Sequence, residues 1–255
     1  MRRLSAIICL ILTFVLVATM LSGCKTKVDE EYQYNNVIET NDKKPVDGEP
    51  EIEAISGYVE DAQQKLLSLP CKVKDLEIEI VSIGKYTGLY TENDKQEEVE
   101  DVFALIVKNP TDQLVSYSTF TAQCGNELFA TFSPTNIPAH QSALVLTTNA
   151  PVAYADVKEF KITDSMAVMS DSLPMLDGIV GVDFKDGQFI VTNLTGDELG
   201  DVYIRYKACT DGNAYLGGIT YSAMVSDVQP YETYTVDAPL YSEESGVIIA
   251  VENLK

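Results

Sequence analysis

One histidine, five cysteines and thirty-nine carboxylates bound the chemistry open to this chain. His140 sits in Pro138-Ala139-His140-Gln141, ahead of an apolar run. A serine hydrolase would need it beside a nucleophile, but no Gly-x-Ser-x-Gly elbow is present. A zinc site would need several His or Cys ligands in ordered spacing, so His140 reads as a loop histidine. Two cysteines lie in the amino-terminal segment, leaving Cys71, Cys124 and Cys209, an odd number that cannot pair fully within one chain. Phe120, Ala122 and Cys124 alternate onto one apolar face, which makes Cys124 a core residue. Cys209 falls with Arg205 and Lys207 on the opposite face from Ile204, Tyr206 and Ala208. It is the candidate accessible thiol, with cations beside it to lower its pKa. A Cys71–Cys124 bridge is left open, since spacing does not fix geometry.

The carboxylates of Glu97-Glu98-Glu100-Asp101 and Glu243-Glu244 have the oxygens that calcium takes, but no Asp-x-Asp-x-Asp-Gly loop accompanies them. They read as solvated charge, and no metal or cofactor is expected. Seven of the fourteen tyrosines fall between Tyr203 and Tyr241. Tyr215, Tyr221, Tyr231 and Tyr234 are candidates for an aromatic contact strip, because tyrosine is rigid and amphipathic. Asn193-Leu194-Thr195 fits a glycosylation sequon but reads as a turn.

Lys plus Arg number 18 against 39 Asp plus Glu, a formal net charge of −21. That balance excludes a nucleic-acid surface, which needs clustered cations, and an electrostatic grip on anionic lipid. The membrane signal lies elsewhere. Arg2 and Arg3 precede an apolar run from Ala6 to Leu21, the plan of a secretory signal. It closes on Leu21-Ser22-Gly23-Cys24, which resembles the bacterial lipobox. The resemblance implies cleavage before Cys24 and acylation of its thiol, giving residues 1–23 as signal peptide. At about 0.8 kcal/mol per buried CH₂, two or more acyl chains anchor stably where one does not. The expected place is the cell membrane, lipid-anchored and facing the extracytoplasmic side.

Residues 24–70 then form the tether. Within 25–57, nine acids stand against four lysines and few large apolar side chains. Such a segment buries too little apolar surface to offset its ordering entropy and is expected to be disordered. Val59, Ala62, Leu66 and Leu69 recur at helical spacing before Pro70, which predicts a short helix over 58–69.

Beyond Lys72 the period becomes two. Strands are expected near 76–81, 102–108, 115–124, 128–132, 143–147 and 157–162, with 86–100 a solvated acidic loop. Further strands fall near 179–184, 189–192, 202–208, 219–225, 233–236 and 246–251. Lys185-Asp186-Gly187-Gln188 marks a tight hairpin. Val107-Lys108-Asn109-Pro110-Thr111 matches Val191-Thr192-Asn193-Leu194-Thr195 at an offset of 84 residues, and Phe120 and Ala122 then fall on Ile204 and Tyr206. Pro138 corresponds to Pro230. This is a repeat of two.

The fold class expected is all-β: two tandem antiparallel immunoglobulin-like β-sandwiches after the tether, over 71–165 and 175–255. Through Leu76–Val81, the acidic loop and Val102–Asn109, the first unit resembles bacterial immunoglobulin-like domains of the immunoprotective extracellular type. Through Tyr206–Asn213, Gly217–Tyr221 and Pro230, the second resembles the family named for its Phe-x-Leu-Tyr-Asp motif, with Tyr, Ala and Cys replacing Phe, Leu and Tyr. Both families imply extracytoplasmic sandwiches without shared catalytic residues. The function expected is binding or scaffolding at a bacterial envelope, through a protein, peptide or glycan partner. An envelope hydrolase, thiol chemistry at Cys209, or a subunit of a larger surface assembly are the alternatives.

Overall fold

A computed structural model describes residues 48–61, 69–73, 76–93, 95, 97–124, 128–154 and 160–254. The chain divides into two compact units, 1–35 and 36–255. The expectations for the signal segment, Cys24 and most of the tether lie outside the described residues, as do the side chains of Cys124 and Leu128. Everything below concerns the second unit.

Among the described residues there are fifteen strands and one short 3-10 turn at Ile52–Ala54. The first half holds β1 (Tyr58–Glu60), β2 (Cys71–Lys72), β3 (Glu79–Tyr90), β4 (Glu97–Lys108) and β5 (Leu114–Cys124). It continues with β6 (Leu128–Phe132), β7 (Thr135–Ile137), β8 (Ser142–Leu146) and β9 (Phe160–Ser170). The second half holds β10 (Val180–Lys185), β11 (Gln188–Asn193), β12 (Gly200–Cys209), β13 (Tyr215–Val228), β14 (Thr233–Asp237) and β15 (Gly246–Leu254). The protein is therefore all-β, built of antiparallel ladders, with one short parallel pairing, packed as sandwiches.

Each half follows one plan. In the first, β3-β4-β8 faces a sheet in which β6, β7 and β9 pair with β5. In the second, β10-β11-β14 faces β13-β12-β15. Phe103, Leu105 and Val145 of one layer meet Phe120, Phe132 and Val115 of the other in the first core. Val180, Phe189 and Val191 meet Val202, Ile204 and Val225 in the second. Alternate inward residues supply these contacts, as a period of two requires. The expected tight hairpin is present: Asp186 and Gly187 both have positive φ, the conformation of a two-residue type I′ turn.

The repeat is legible in hydrogen bonds. Asn109 donates its Nδ2 to the carbonyls of Gln113, Ile137 and Pro138, while its Oδ1 accepts from the Thr111 amide and hydroxyl. Asn193 donates to the carbonyls of Asp197 and Gln229, and its Oδ1 accepts from the Thr195 amide and hydroxyl. The same side chain thus ties the same corner in both halves. The bonds match Pro138 with Gln229, one residue from the Pro138–Pro230 correspondence expected from sequence. Asn193 is buried with its amide engaged, so the sequon is a corner.

Two expectations change. Residues 58–60 form a strand, with Tyr58 opposite Tyr86, where a helix was expected; residues 62–68 lie outside the described residues. The tether also ends earlier than expected. Ile55 is buried against the outer face of the first sandwich, beside Tyr58, Tyr86, Ile106 and Leu144. The Glu51 amide bonds to the Gly212 carbonyl. A few apolar side chains suffice to dock this polar segment, because β4 and β8 offer an apolar outer face as well as an inner one.

Candidate functional site

The two sandwiches share a sheet. β8, an edge of the first, pairs in parallel with β13 of the second through Ala143↔Tyr215 and Leu144↔Leu216. The result is one sheet ordered β1-β3-β4-β8-β13-β12-β15, with β2 also on β3. The ladder between β8 and β13 stops after two rungs, because β13 turns away at Gly217, whose φ is +87°. A Cβ there would stand 2.5 Å from Thr91 Oγ1, and one on Gly218 would stand 2.9 Å from Val145 Cγ1. The glycine pair permits both the turn and the close approach.

Glu92 fills the place of the missing rung. It follows β3 directly and is buried. Its Oε1 accepts from the Leu146 amide of β8 at 2.9 Å and the Gly218 amide of β13 at 2.7 Å. Its Oε2 accepts from the Ile219 amide at 3.2 Å. Lys207, also buried, lies at a register shift of β12, where Tyr206 pairs with Tyr221 but Ala208 pairs with Leu216. Its Nζ donates to the carbonyls of Gly218 at 2.9 Å and Ile219 at 2.7 Å. One carboxylate therefore takes the amides of the looped-out segment and one ammonium takes its carbonyls. Tyr221 adds a bond from its hydroxyl to the Thr91 carbonyl. The backbone groups that the irregularity would leave unpaired are satisfied by charge, the stronger kind of hydrogen bond.

Burial pushes the Glu92 carboxyl up, opposed by its three amide donors and by Lys207. Burial pushes the Lys207 ammonium down to about 7, opposed by the negative charge of Glu92. Sequence gave no sign of either role. Glu92 sat in a run read as solvated, yet β3 runs on to Tyr90 and β4 starts at Glu97, so much of that run is strand. Glu97, Glu98 and Glu100 lie on β4, where neighbouring side chains alternate faces and do not converge on one ion.

The thiol expectation is overturned for the same reason. Cys209 is buried, and it joins Tyr215, Val247 and Ile249 in the core of the first sandwich. The pleat places Arg205, Lys207 and Cys209 on the outer face of the second sandwich, as expected. That face is solvent only near Arg205, which pairs with Glu252; toward Cys209 it becomes the inner face of the shared sheet. Cys71 is a free thiol, unbridged.

The tyrosines do not form a strip. Tyr215 is fully buried with its hydroxyl unpaired among the described residues. Tyr221 is half-buried and stacks near Tyr206, which packs with Phe189 and Tyr241 in the second core. Tyr234 holds the Gln229 amide through its hydroxyl oxygen, and only Tyr231 stands well clear, 72% exposed. His140 is half-exposed and pairs with Asp112 at 2.9 Å. Several other exposed apolar side chains lie on the β5 sheet, where Tyr117 stands opposite Val168 and Met166 lies two pairs along, opposite Thr119.

No protein family matches the chain, and no curated protein or solved structure does either.

Proposed function

We propose that the protein is a lipid-anchored binding or scaffolding protein on the extracytoplasmic side of a bacterial cell membrane. The observation that carries this reading is the lipobox-like Leu21-Ser22-Gly23-Cys24 behind an apolar run and two arginines. Acyl chains on Cys24 hold the protein to the bilayer, while an acidic body of this charge is repelled by anionic headgroups. The partner is a protein, peptide or glycan of the envelope. The use made of the titratable groups supports binding over catalysis. Glu92 and Lys207 are spent on backbone amides and carbonyls, His140 is paired with Asp112, and Cys209 is enclosed in a core.

Detergent phase partitioning combined with labelling by an alkyne fatty acid tests the anchor. The wild-type chain is expected to carry label and enter the detergent phase, and Cys24→Ala to lose both properties. A Cys24→Ala chain that still fractionates with membranes would overturn the lipid anchor.

A further inference from the structure

The repeat shows which sheet edges are filled and which are left open among the described residues. Val107 and Val191 are equivalent, as are Leu105 and Phe189, each 84 residues apart. Their partners are therefore equivalent too: Ile80 with Val182, and Ile83 with Phe184. In the first sandwich the outer edge of β3 is paired at both positions. Cys71 of β2 lies opposite Ile80, and the Asp61 amide at the end of β1 bonds to the Ile83 carbonyl. Both isoleucines are completely buried.

In the second sandwich the same edge belongs to β10. The Leu194 amide bonds to the Ile179 carbonyl, and the register runs on from Val180↔Asn193 to Lys185↔Gln188. Odd-numbered residues of β10 thus point their backbone groups at β11, and Val182 and Phe184 point theirs outward. No described residue pairs with those outward groups. Their side chains touch the second core yet stay only half-buried, and Asp183 between them is exposed.

We propose that the outer edge of β10 docks an extended, antiparallel strand of a partner protein, with apolar side chains opposite Val182 and Phe184 and a cation opposite Asp183. Main-chain bonds supply the grip and the alternating side chains the selectivity. The occupant's form follows from the duplicate edge, which takes extended chain antiparallel. Its charge follows from Asp183 and from the acidic body. A second copy paired about Asp183 fits poorly, because that register sets Asp183 against Asp183. The edge of β14 is a weaker candidate: its outward backbone groups belong to Thr233, Thr235 and Asp237, all exposed and polar. This deepens the binding reading by naming an edge and a class of partner. It does not depend on the anchor, since a Cys24→Ala chain carries the same edge.

The test is residue-resolved amide exchange on the full-length chain in detergent, with a short synthetic peptide in which Val alternates with Lys and Thr. Saturating peptide is expected to slow exchange at Val182 and Phe184 by about tenfold. A version with Glu in place of Lys should bind about fivefold more weakly. Val182→Pro removes an outward amide that β11 does not use, so it should abolish the slowing while leaving the unfolding midpoint near wild type. Three results would overturn the proposal. One is no slowing at millimolar peptide. Another is equal slowing at β14 or in Val182→Pro. The third is Val182 and Phe184 already protected without peptide, which assigns the edge to the chain's own amino-terminal residues or, if concentration-dependent, to a second copy.

Discussion

The two sandwiches share a plan and differ in what surrounds it. Both turn the same corner with a buried asparagine and a threonine two residues on. The first has β4 and β8 covered on both faces, by its own core within and by the 48–61 segment and Ala214 without. In the second, β11 and β14 line one core only, and both edges of their sheet lack a described partner. The first sandwich is thus a base on which the amino-terminal segment and the second sandwich both rest. The joint between them has no counterpart. The residue equivalent to Lys207 is Gln123, and the loop that carries Glu92 is replaced in the second half by Asp186-Gly187. The cores and the corners repeat between the halves, whereas the charged joint does not.

Removing one member of the joint breaks the comparison hardest. Glu92→Ala strands a buried ammonium and three amides, and is expected to cost about 3–5 kcal/mol in denaturant unfolding. Glu92→Leu with Lys207→Met should recover most of that, since neither buried charge is then left alone. The same pair has a pH signature. Burial holds the folded Lys207 ammonium down to about 7, well below the ordinary lysine range of the unfolded chain. As pH rises from about 7 toward 10, the unfolded chain keeps a proton that the folded chain has released, so stability rises. Glu92, shifted upward, acts the other way: above 4.5 the unfolded carboxyl ionises first, and stability falls until the folded one follows. Lys207→Met should flatten the alkaline arm of the stability profile and Glu92→Gln the acidic arm.

The corners sharpen the comparison. Asn109→Ala and Asn193→Ala each leave buried carbonyls and an amide unpaired, and should each cost about 2–3 kcal/mol. Unequal losses would show that the two corners are not equivalent. Gly217→Ala meets both a positive φ and the Thr91 side chain, and should cost about 1–3 kcal/mol. The smallest effect is a gain. Tyr215→Phe removes a buried hydroxyl without a partner among the described residues and should add about 1 kcal/mol, with no loss of binding to any partner of the tyrosine-rich region.

Most of the strand plan was legible because alternation and turn chemistry are local. Lys185-Asp186-Gly187-Gln188 and the paired Asn-x-Thr corners needed no tertiary knowledge. The joint was not legible. The pleat correctly put Lys207 and Cys209 on one face, but whether that face meets water depends on where the other sandwich sits. Glu92 is one acid among several, and nothing local marks it as the one that replaces a rung. The helix expected over 58–69 failed at its start because β3 offers Tyr58–Glu60 an edge, and edge pairing outweighs a weak helical period.

The shared sheet and the Glu92–Lys207 joint are expected to make the two halves one folding unit. The direct measurement is native-state hydrogen exchange across a denaturant series, comparing core amides such as Leu105 and Val145 with Phe189 and Val191. Both sets are expected to open in one transition in the wild type and to separate in Glu92→Ala. Two transitions in the wild type would contradict it.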